Sequence, residues 1–193
     1  MKKLLFTAVL LSAAVVANAQ FRFGVKAGVN FATGGSEDKT RTSLNAGVLA
    51  QYKFEGSGFA IQPEILYSGQ GAKGTIDGVD ATFALDYINV PVMLQYYVAP
   101  GFNLEFGPQV GFLVSAKLKA SDSGNSASVD IKDAYNSVDF GIGLGAAYEL
   151  PKLPLGFFAR YNLGMSELYK DKDLQGENGA KHRVIQVGAF YKF

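Results

Sequence analysis

The sequence predicts an all-β fold, a single eight-stranded antiparallel up-and-down transmembrane β-barrel. Apolar and polar residues alternate from Phe21 onward, in stretches of about ten residues. The connections between these stretches are short and long in turn. Glycine is concentrated on the polar face of the stretches, whereas bulky apolar side chains occupy the other face. Together the three observations indicate a barrel whose outer surface contacts lipid.

Eight stretches show the period of two that a β-strand requires. They are residues 21–31, 44–54, 59–68, 83–96, 102–115, 138–149, 155–164 and 185–193. The first is typical, with Phe21 and Val25 on one face and Arg22 on the other. In the fourth, the apolar residues up to Tyr87 are out of phase with those from Ile88 onward. A β-bulge near Asp86 explains this slip, because one extra residue reverses the alternation.

The seven connections also follow a pattern. Three are tight turns, at 55–58, 99–101 and 151–154. Four are long and rich in Gly, Ser, Asp and Lys, at 32–42, 69–82, 119–136 and 166–181. Short turns at one end and long loops at the other are typical of outer-membrane barrels.

Alternation alone does not separate a membrane barrel from a soluble barrel that binds ligands inside, since the two invert their faces. The interior of an eight-stranded barrel is only wide enough for its own side chains. Small residues therefore belong inside, and the polar face carries the strand glycines. These are Gly24, Gly28, Gly47, Gly107, Gly111, Gly141, Gly143, Gly145, Gly156, Gly164 and Gly188. The polar face is predicted to line the lumen and the apolar face to meet lipid.

Aromatic residues lie at or next to the same end of every strand on the apolar face. They are Phe21, Phe54, Phe59, Tyr96, Phe102, Tyr148, Phe157 and Phe193. Such a girdle marks the membrane interface. The final stretch carries Tyr191 and Phe193, and we expect it to pair with the first strand and to place Phe193 in the girdle.

The first twenty residues, MKKLLFTAVLLSAAVVANAQ, resemble an export signal. Two lysines precede a short apolar run and the small-residue box Ala17-Asn18-Ala19. We predict a cleavable secretory signal peptide at 1–19 and an outer membrane β-barrel domain at 20–193. Without Lys2 and Lys3 the chain has 16 basic and 17 acidic residues, so no nucleic-acid partner is indicated. The absence of cysteine excludes disulfides, thiolate metal sites and a lipoprotein anchor.

Charged residues on lumen positions are the main candidate site. They are Arg22, Lys26, Lys53, Lys117, Arg160, Lys192, Glu64, Glu105, Asp139 and Glu149. Counted from the girdle, Lys26, Glu64, Glu105 and Arg160 lie at similar heights. We predict a charge-balanced network that fills the narrow lumen. The alternative is that the same residues line a water-filled passage.

Catalytic and metal-binding patterns are weak. The single histidine, His182, is expected to be a solvated rim residue, and no motif links it to Ser166 at the start of the last long loop. The acidic segments 130–133 and 169–173 lack the ligand spacing of a calcium loop. The sequence therefore predicts no enzyme activity, no catalytic residue, no metal and no cofactor.

Four segments resemble the PorT-like outer membrane β-barrel domain family. They are FRFGVKAGVNFA, IQPEILYSGQG, LDYINVPVMLQYY and FGPQVGFLVSAK. The resemblance implies an integral outer-membrane barrel, and the best-known member is linked to a secretion and gliding system. The alternating last strand that ends in an aromatic residue also resembles the signal read by the outer-membrane assembly machinery.

We therefore expect a non-enzymatic protein of the bacterial outer membrane that is structural or binds through its extracellular loops. Its expected partners are membrane lipid, the assembly machinery, and proteins or surfaces contacted by the four long loops. The alternative function is a small, porin-like diffusion pore or a component of a secretion apparatus.

Overall fold

The structure is a computed structural model, and it describes residues 21–33, 39–76, 79–122, 125–171 and 181–193 of the chain. These residues contain nine β-strands and one short 3₁₀ helix. The strands are β1 (Phe21–Thr33), β2 (Lys39–Lys53), β3 (Phe59–Ile76), β4 (Val79–Ala99), β5 (Phe102–Asp122), β6 (Asn125–Asp130), β7 (Val138–Glu149), β8 (Leu155–Gly164) and β9 (Arg183–Lys192). The 3₁₀ helix is Lys132–Ala134. The predicted signal peptide and parts of all four long connections lie outside the described residues.

Eight of the strands close into an antiparallel barrel, which confirms the predicted fold. Neighbours along the chain pair from β1 to β5, β5 then pairs with β7, and β9 returns to β1. The closing ladder runs from Gly24 opposite Lys192 to Thr33 opposite Arg183. Closure matters because backbone N–H and C=O groups in lipid must find partners inside the protein.

The three tight turns lie where the sequence places them, and we call this end of the barrel the short-turn end. Gly101 shows why one of them requires glycine, since its φ is +79°. A Cβ atom there would lie 2.3 Å from the carbonyl oxygen of Glu149. A larger residue would therefore strain both the backbone and the neighbouring strand.

The opposite, long-loop end contains more strand than predicted. The β3–β4 ladder continues to Ile76 opposite Val79, and β6 pairs with the last part of β5. The predicted loops 69–82 and 119–136 are therefore mostly hairpin, a correction to the sequence interpretation. Their small and polar residues resemble a loop, but cross-strand pairing satisfies their backbone. We call residues 71–76, 79–84, 117–122 and 125–130 together the protruding sheet.

A β-bulge lies beside Asp86, but the extra residue is in β5. The alternation of β4 therefore continues, and Leu85 and Tyr87 are buried inside the barrel, which corrects the prediction that a bulge in the fourth stretch explains their phase. Asp86 is opposite Ser115 and Tyr87 is opposite Leu113, which leaves Val114 without an opposite residue. Beyond the bulge the alternation of β5 reverses, so Lys117 is exposed on the outer surface. The prediction that Lys117 lies in the lumen is therefore wrong.

The barrel presents most of its bulky apolar side chains outward, as predicted. Phe106, Phe140 and Ile65 are among them, with exposed fractions of 51%, 56% and 55%. All eight girdle aromatics are exposed as well. In the part of the chain that the structure describes, no helix has the length and apolar character needed to cross a membrane.

Candidate functional site

Four charged residues meet in the middle of the lumen, and we call them the charge quartet: Lys26, Glu64, Glu105 and Arg160. Arg160 donates two parallel hydrogen bonds to Glu64, each 2.8 Å long. Its Nε donates a third, of 2.7 Å, to Glu105. Lys26 Nζ lies 3.1 Å from Glu64 Oε1. The four strands β1, β3, β5 and β8 supply one residue each, so the quartet spans the lumen.

The quartet is both neutral and dry. Its two cations balance its two carboxylates, and none of the four side chains is more than 1% exposed. Gln62 donates a 2.8 Å hydrogen bond to Glu64, and Lys26 Nζ lies 3.8 Å from the ring centre of Phe158. Pairing of this completeness is what buried charges require, because an unpaired charge loses its hydration without compensation.

A second group of charges lies at the short-turn end, and we call Arg22, Lys53, Glu149 and Lys192 the mouth cluster. Glu149 accepts hydrogen bonds of 2.7 Å from Arg22 and 2.9 Å from Lys192. Lys53 Nζ lies 3.8 Å from the same carboxylate, and the Tyr97 hydroxyl donates to it. The cluster therefore has two more positive than negative charges. It lines an open cavity of about 510 Å³.

Amide side chains connect the mouth cluster to the quartet. Gln51 accepts a 2.6 Å hydrogen bond from Arg22 and donates one of 2.5 Å to Gln95. Gln95 in turn lies 3.3 Å from Glu105. The lumen is thus bridged continuously from the mouth to the quartet.

A third layer, on the far side of the quartet from the mouth cluster, is built from neutral polar groups. Asn30 donates to Ser68 at 2.9 Å and accepts from Asn45 at 2.6 Å and from Gln186 at 2.9 Å. All four residues are buried. The layer joins β1 to β2, β3 and β9 across the interior.

An apolar cluster closes the long-loop end, and it corrects the expectation of a wholly polar lumen. Its buried members are Leu85, Tyr87, Leu113, Ala116, Tyr135 and Leu168. Tyr135 lies in the connection before β7, and Leu168 lies in the connection after β8. The two connections are joined by hydrogen bonds from Asn136 N to Leu168 O and from Lys170 N to Ala134 O. Sequence reasoning missed this closure, although the out-of-phase residues Leu85 and Tyr87 and the apolar residues of the long connections, such as Ile131 and Leu168, were signals of it.

His182 is part of the same closure, so the prediction of a solvated rim residue is wrong. It is 2% exposed. Its Nε2 lies 3.2 Å from the Tyr87 hydroxyl, and the two rings meet edge-on with centres 5.2 Å apart. Ser166 accepts a hydrogen bond from the backbone N–H of Phe140 instead. No group of three or more His, Asp or Glu side chains that could hold a metal occurs among the described residues.

Asp139 is the one acidic lumen candidate that does not join a described ion pair. It is 6% exposed, and its Oδ1 has no hydrogen-bond partner among the described residues. The side-chain atoms of Asn89 also have no hydrogen-bond partner among the described residues. Asn89 is opposite Gly111 of β5, and Gly111 is opposite Asp139 of β7. The Asn89 side chain projects over Gly111, which therefore lies between Asn89 and Asp139. A buried carboxylate without a partner reduces stability.

Replacing Asp139 by asparagine should therefore stabilise the barrel, the opposite of what carboxylate removal does in the quartet. We expect the free energy of unfolding to rise by about 1–2 kcal/mol, because an amide costs less to bury than an unpaired carboxylate. Urea unfolding of the protein in lipid vesicles, followed by circular dichroism, measures the change. A loss of stability would show that Asp139 has a partner that the described contacts lack.

Two solved structures of outer-membrane proteins are similar to this barrel. The barrel is similar to the crystal structure of Ail, the attachment invasion locus protein of Yersinia pestis, with 16% identity, a TM-score of 0.48, and coverage of 90% of this chain and 97% of that chain. It is also similar to the outer membrane protein OprG from Pseudomonas aeruginosa, with 16% identity, a TM-score of 0.44, and coverage of 89% and 95%. No curated protein matches the sequence significantly.

A family model described as an outer membrane protein beta-barrel domain matches residues 16–170. This match spans every strand of the barrel except β9. The closed antiparallel barrel and its apolar outer surface are what a protein of that membrane requires. The chain therefore belongs to the outer membrane protein β-barrel domain family, and it is a protein of the bacterial outer membrane.

Proposed function

We propose that the protein is a closed, non-conducting and non-enzymatic barrel that acts through its surfaces, as a structural or binding protein. The observation that carries this proposal is the dry charge quartet, whose side chains are at most 1% exposed. Water and ions need a continuous hydrated path to cross a barrel. The quartet interrupts that path at mid-lumen, and the apolar cluster interrupts it again at the long-loop end.

The proposal places the short-turn end in the periplasm and the long-loop end outside the cell. Segments 32–42, 69–82, 119–136 and 166–181 then face the surroundings, where loops on rigid scaffolds commonly carry binding functions. The protruding sheet, which includes most of the second and third segments, gives them a rigid base. Proteins or surfaces outside the cell are the proposed partners of these segments.

Assembly into the membrane is proposed to use the last strand. Tyr191 and Phe193 are exposed, with exposed fractions of 43% and 76%, and their ring centres are 5.5 Å apart. Phe193 also donates a backbone hydrogen bond of 2.7 Å to Phe23. An exposed aromatic pair on the closing strand fits recognition by the outer-membrane assembly machinery before closure.

A PorT-like assignment within the family is part of the proposal. The four segments that resemble that family fall on β1, β3, β4 and β5. A role in a secretion apparatus would follow from this resemblance alone.

We propose that the protein has no enzyme activity because of the surroundings of His182 and Ser166, the two residues that could serve in an acyl-transfer enzyme. His182 is buried against Tyr87, and Ser166 is bonded to the β7 backbone. A catalytic serine needs a histidine within hydrogen-bond reach. Neither residue is placed to activate the other.

Bilayer conductance tests the proposal. We expect the refolded protein, with its fold verified by a heat-dependent shift on a gel, to give no discrete current steps in a planar bilayer. The matched variant Lys26→Ala/Arg160→Ala/Glu64→Ala/Glu105→Ala removes two positive and two negative charges, so it leaves the net charge of the lumen unchanged while removing the bulk of the quartet. Salt-proportional steps from the native protein would contradict the closed barrel and favour the small diffusion pore.

A further inference from the structure

We propose that the outer face of the protruding sheet binds the phosphate groups of lipid headgroups through a row of lysines. This inference depends on the membrane location of the barrel and not on a closed lumen. The row consists of Lys39, Lys73 and Lys119. It lies directly beyond the lipid-facing surface of β2, β3 and β5 at the long-loop end.

Cross-strand pairing places the three lysines side by side. Lys39 is opposite Lys73, Lys73 is opposite Thr82, and Thr82 is opposite Lys119. Directly paired residues project from the same face of a sheet. The row ends at Ser128 of β6, which is opposite Lys119. One transverse line thus carries three cations and two hydroxyls, the donor types that bind phosphate oxygens.

The row faces outward, toward the membrane surface. In β3, Lys73 and the lipid-facing Tyr67 lie an even number of positions apart, and the register between β3 and β4 is continuous from one to the other. Both side chains therefore project from the same face of the strand. In β5 the bulge at Val114 reverses the alternation, which turns Lys119 outward and Leu118 toward the interior side. All three lysines are exposed. The same bulge that moved Lys117 out of the lumen places it on this outer face, where Asp130 of β6 is directly opposite it.

The height of the row fits the headgroup layer. Lys73 lies fourteen residues beyond the girdle residue Phe59. At about 3.3 Å per residue and a tilt of about 40°, this separation rises roughly 35 Å along the barrel axis. The apolar band of such barrels is about 25 Å tall, so Lys73 lies about 10 Å beyond its far edge. Polar headgroups occupy that depth.

The lysines of the row have no carboxylate within ion-pair distance in the part of the chain that the structure describes. Lys39 and Lys73 are directly opposite, and like charges in that arrangement repel. A phosphate between them would offset the repulsion. Positive residues beside a membrane are attracted to anionic headgroups in the same way.

Lipid binding can be measured by native mass spectrometry of the protein in detergent. The probes are phosphatidic acid, which carries a phosphate monoester, and zwitterionic phosphatidylcholine. The row variant is Lys39→Gln/Lys73→Gln/Lys119→Gln, and the control Lys152→Gln/Lys170→Gln/Lys181→Gln removes the same charge elsewhere. Because all six side chains are exposed, both variants should keep the heat-dependent gel shift of the native protein.

We expect the native protein to retain phosphatidic acid in preference to phosphatidylcholine. The row variant should bind phosphatidic acid at least about tenfold more weakly, since each lysine beside a membrane contributes a several-fold effect. The control should change binding by less than about twofold, and Lys73→Gln alone should weaken it by about fivefold. Equal losses in the row and control variants would overturn the proposal, because they would show an effect of net charge alone. Unchanged binding by the row variant would overturn it as well.

Discussion

Replacing Glu64 by glutamine should lower the free energy of unfolding by about 3–5 kcal/mol. Glu64 is the centre of the charge quartet, since Arg160 and Lys26 both bond to it. Glutamine keeps the size of the side chain but removes the charge. Two buried cations would then face only Glu105, and the surrounding groups cannot hydrate the excess charge.

The measurement is equilibrium unfolding in urea of protein folded into lipid vesicles. The chain has no tryptophan, so circular dichroism or the heat-dependent gel shift must report the folded fraction. Glu55→Gln is the matched control, because Glu55 is exposed in a tight turn and has no described ion pair. Its effect should stay within about 0.5 kcal/mol. If Glu64→Gln were no more destabilising than Glu55→Gln, the quartet would not be a buried, mutually dependent unit.

A second substitution separates charge balance from loss of contacts. Lys26→Met in the Glu64→Gln background leaves Arg160 paired with Glu105 at 2.7 Å, with no excess charge. Methionine also preserves contact with the Phe158 ring, which lies beside Lys26. We expect the double variant to be more stable than Glu64→Gln alone. A departure from additivity between two substitutions is expected only when the two residues are in contact.

Replacing Gly156 by alanine should destabilise the barrel by about 1–3 kcal/mol through overpacking. Gly156 of β8 is opposite Phe190 of β9, whose ring lies over it inside the lumen. A Cβ atom at Gly156 would lie 2.2 Å from the Phe190 ring and 2.7 Å from the Tyr148 carbonyl oxygen. The ring must move, and it packs in a buried cluster with Phe158, so the adjustment is costly.

The same unfolding experiment tests this interpretation. Gly74→Ala is the control, because a Cβ atom there would meet nothing within 4 Å. Phe190→Ala should cost less stability in the Gly156→Ala background than in the native protein, since removing the ring relieves the clash. Strictly additive effects of the two substitutions would exclude the proposed contact between alanine and the ring.

The barrel architecture was predictable because period two and turn spacing are local features of the sequence. Residues such as Phe59 and Tyr96 indicate the outer face, and the strand glycines indicate a crowded interior. The protruding sheet was not predictable, because Gly74 and Lys73 suit a loop as well as a hairpin. Only pairing with β4 shows that the segment is strand.

The charge quartet was foreseen in part. Lys26, Glu64, Glu105 and Arg160 could be placed at similar heights, but their pairing depends on strand register and side-chain direction. The bulge at Val114 was hidden because Ser115 and Ala116 are both small and fit either face. Lys117 was assigned to the wrong side for that reason.

Away from the bulge at Val114 and the apolar cluster, the sequence by itself determined which face of each strand meets lipid, since burial on one side of a strand imposes an alternation that any eight-stranded closure must respect. Only the tertiary structure decided how the interior is filled. Glu64 meets Arg160 across 96 residues of chain, and Tyr135 and Leu168 fold over the lumen from separate connections. Contacts of this kind depend on shear, register and closure, which are properties of the whole barrel and leave no local pattern in the sequence.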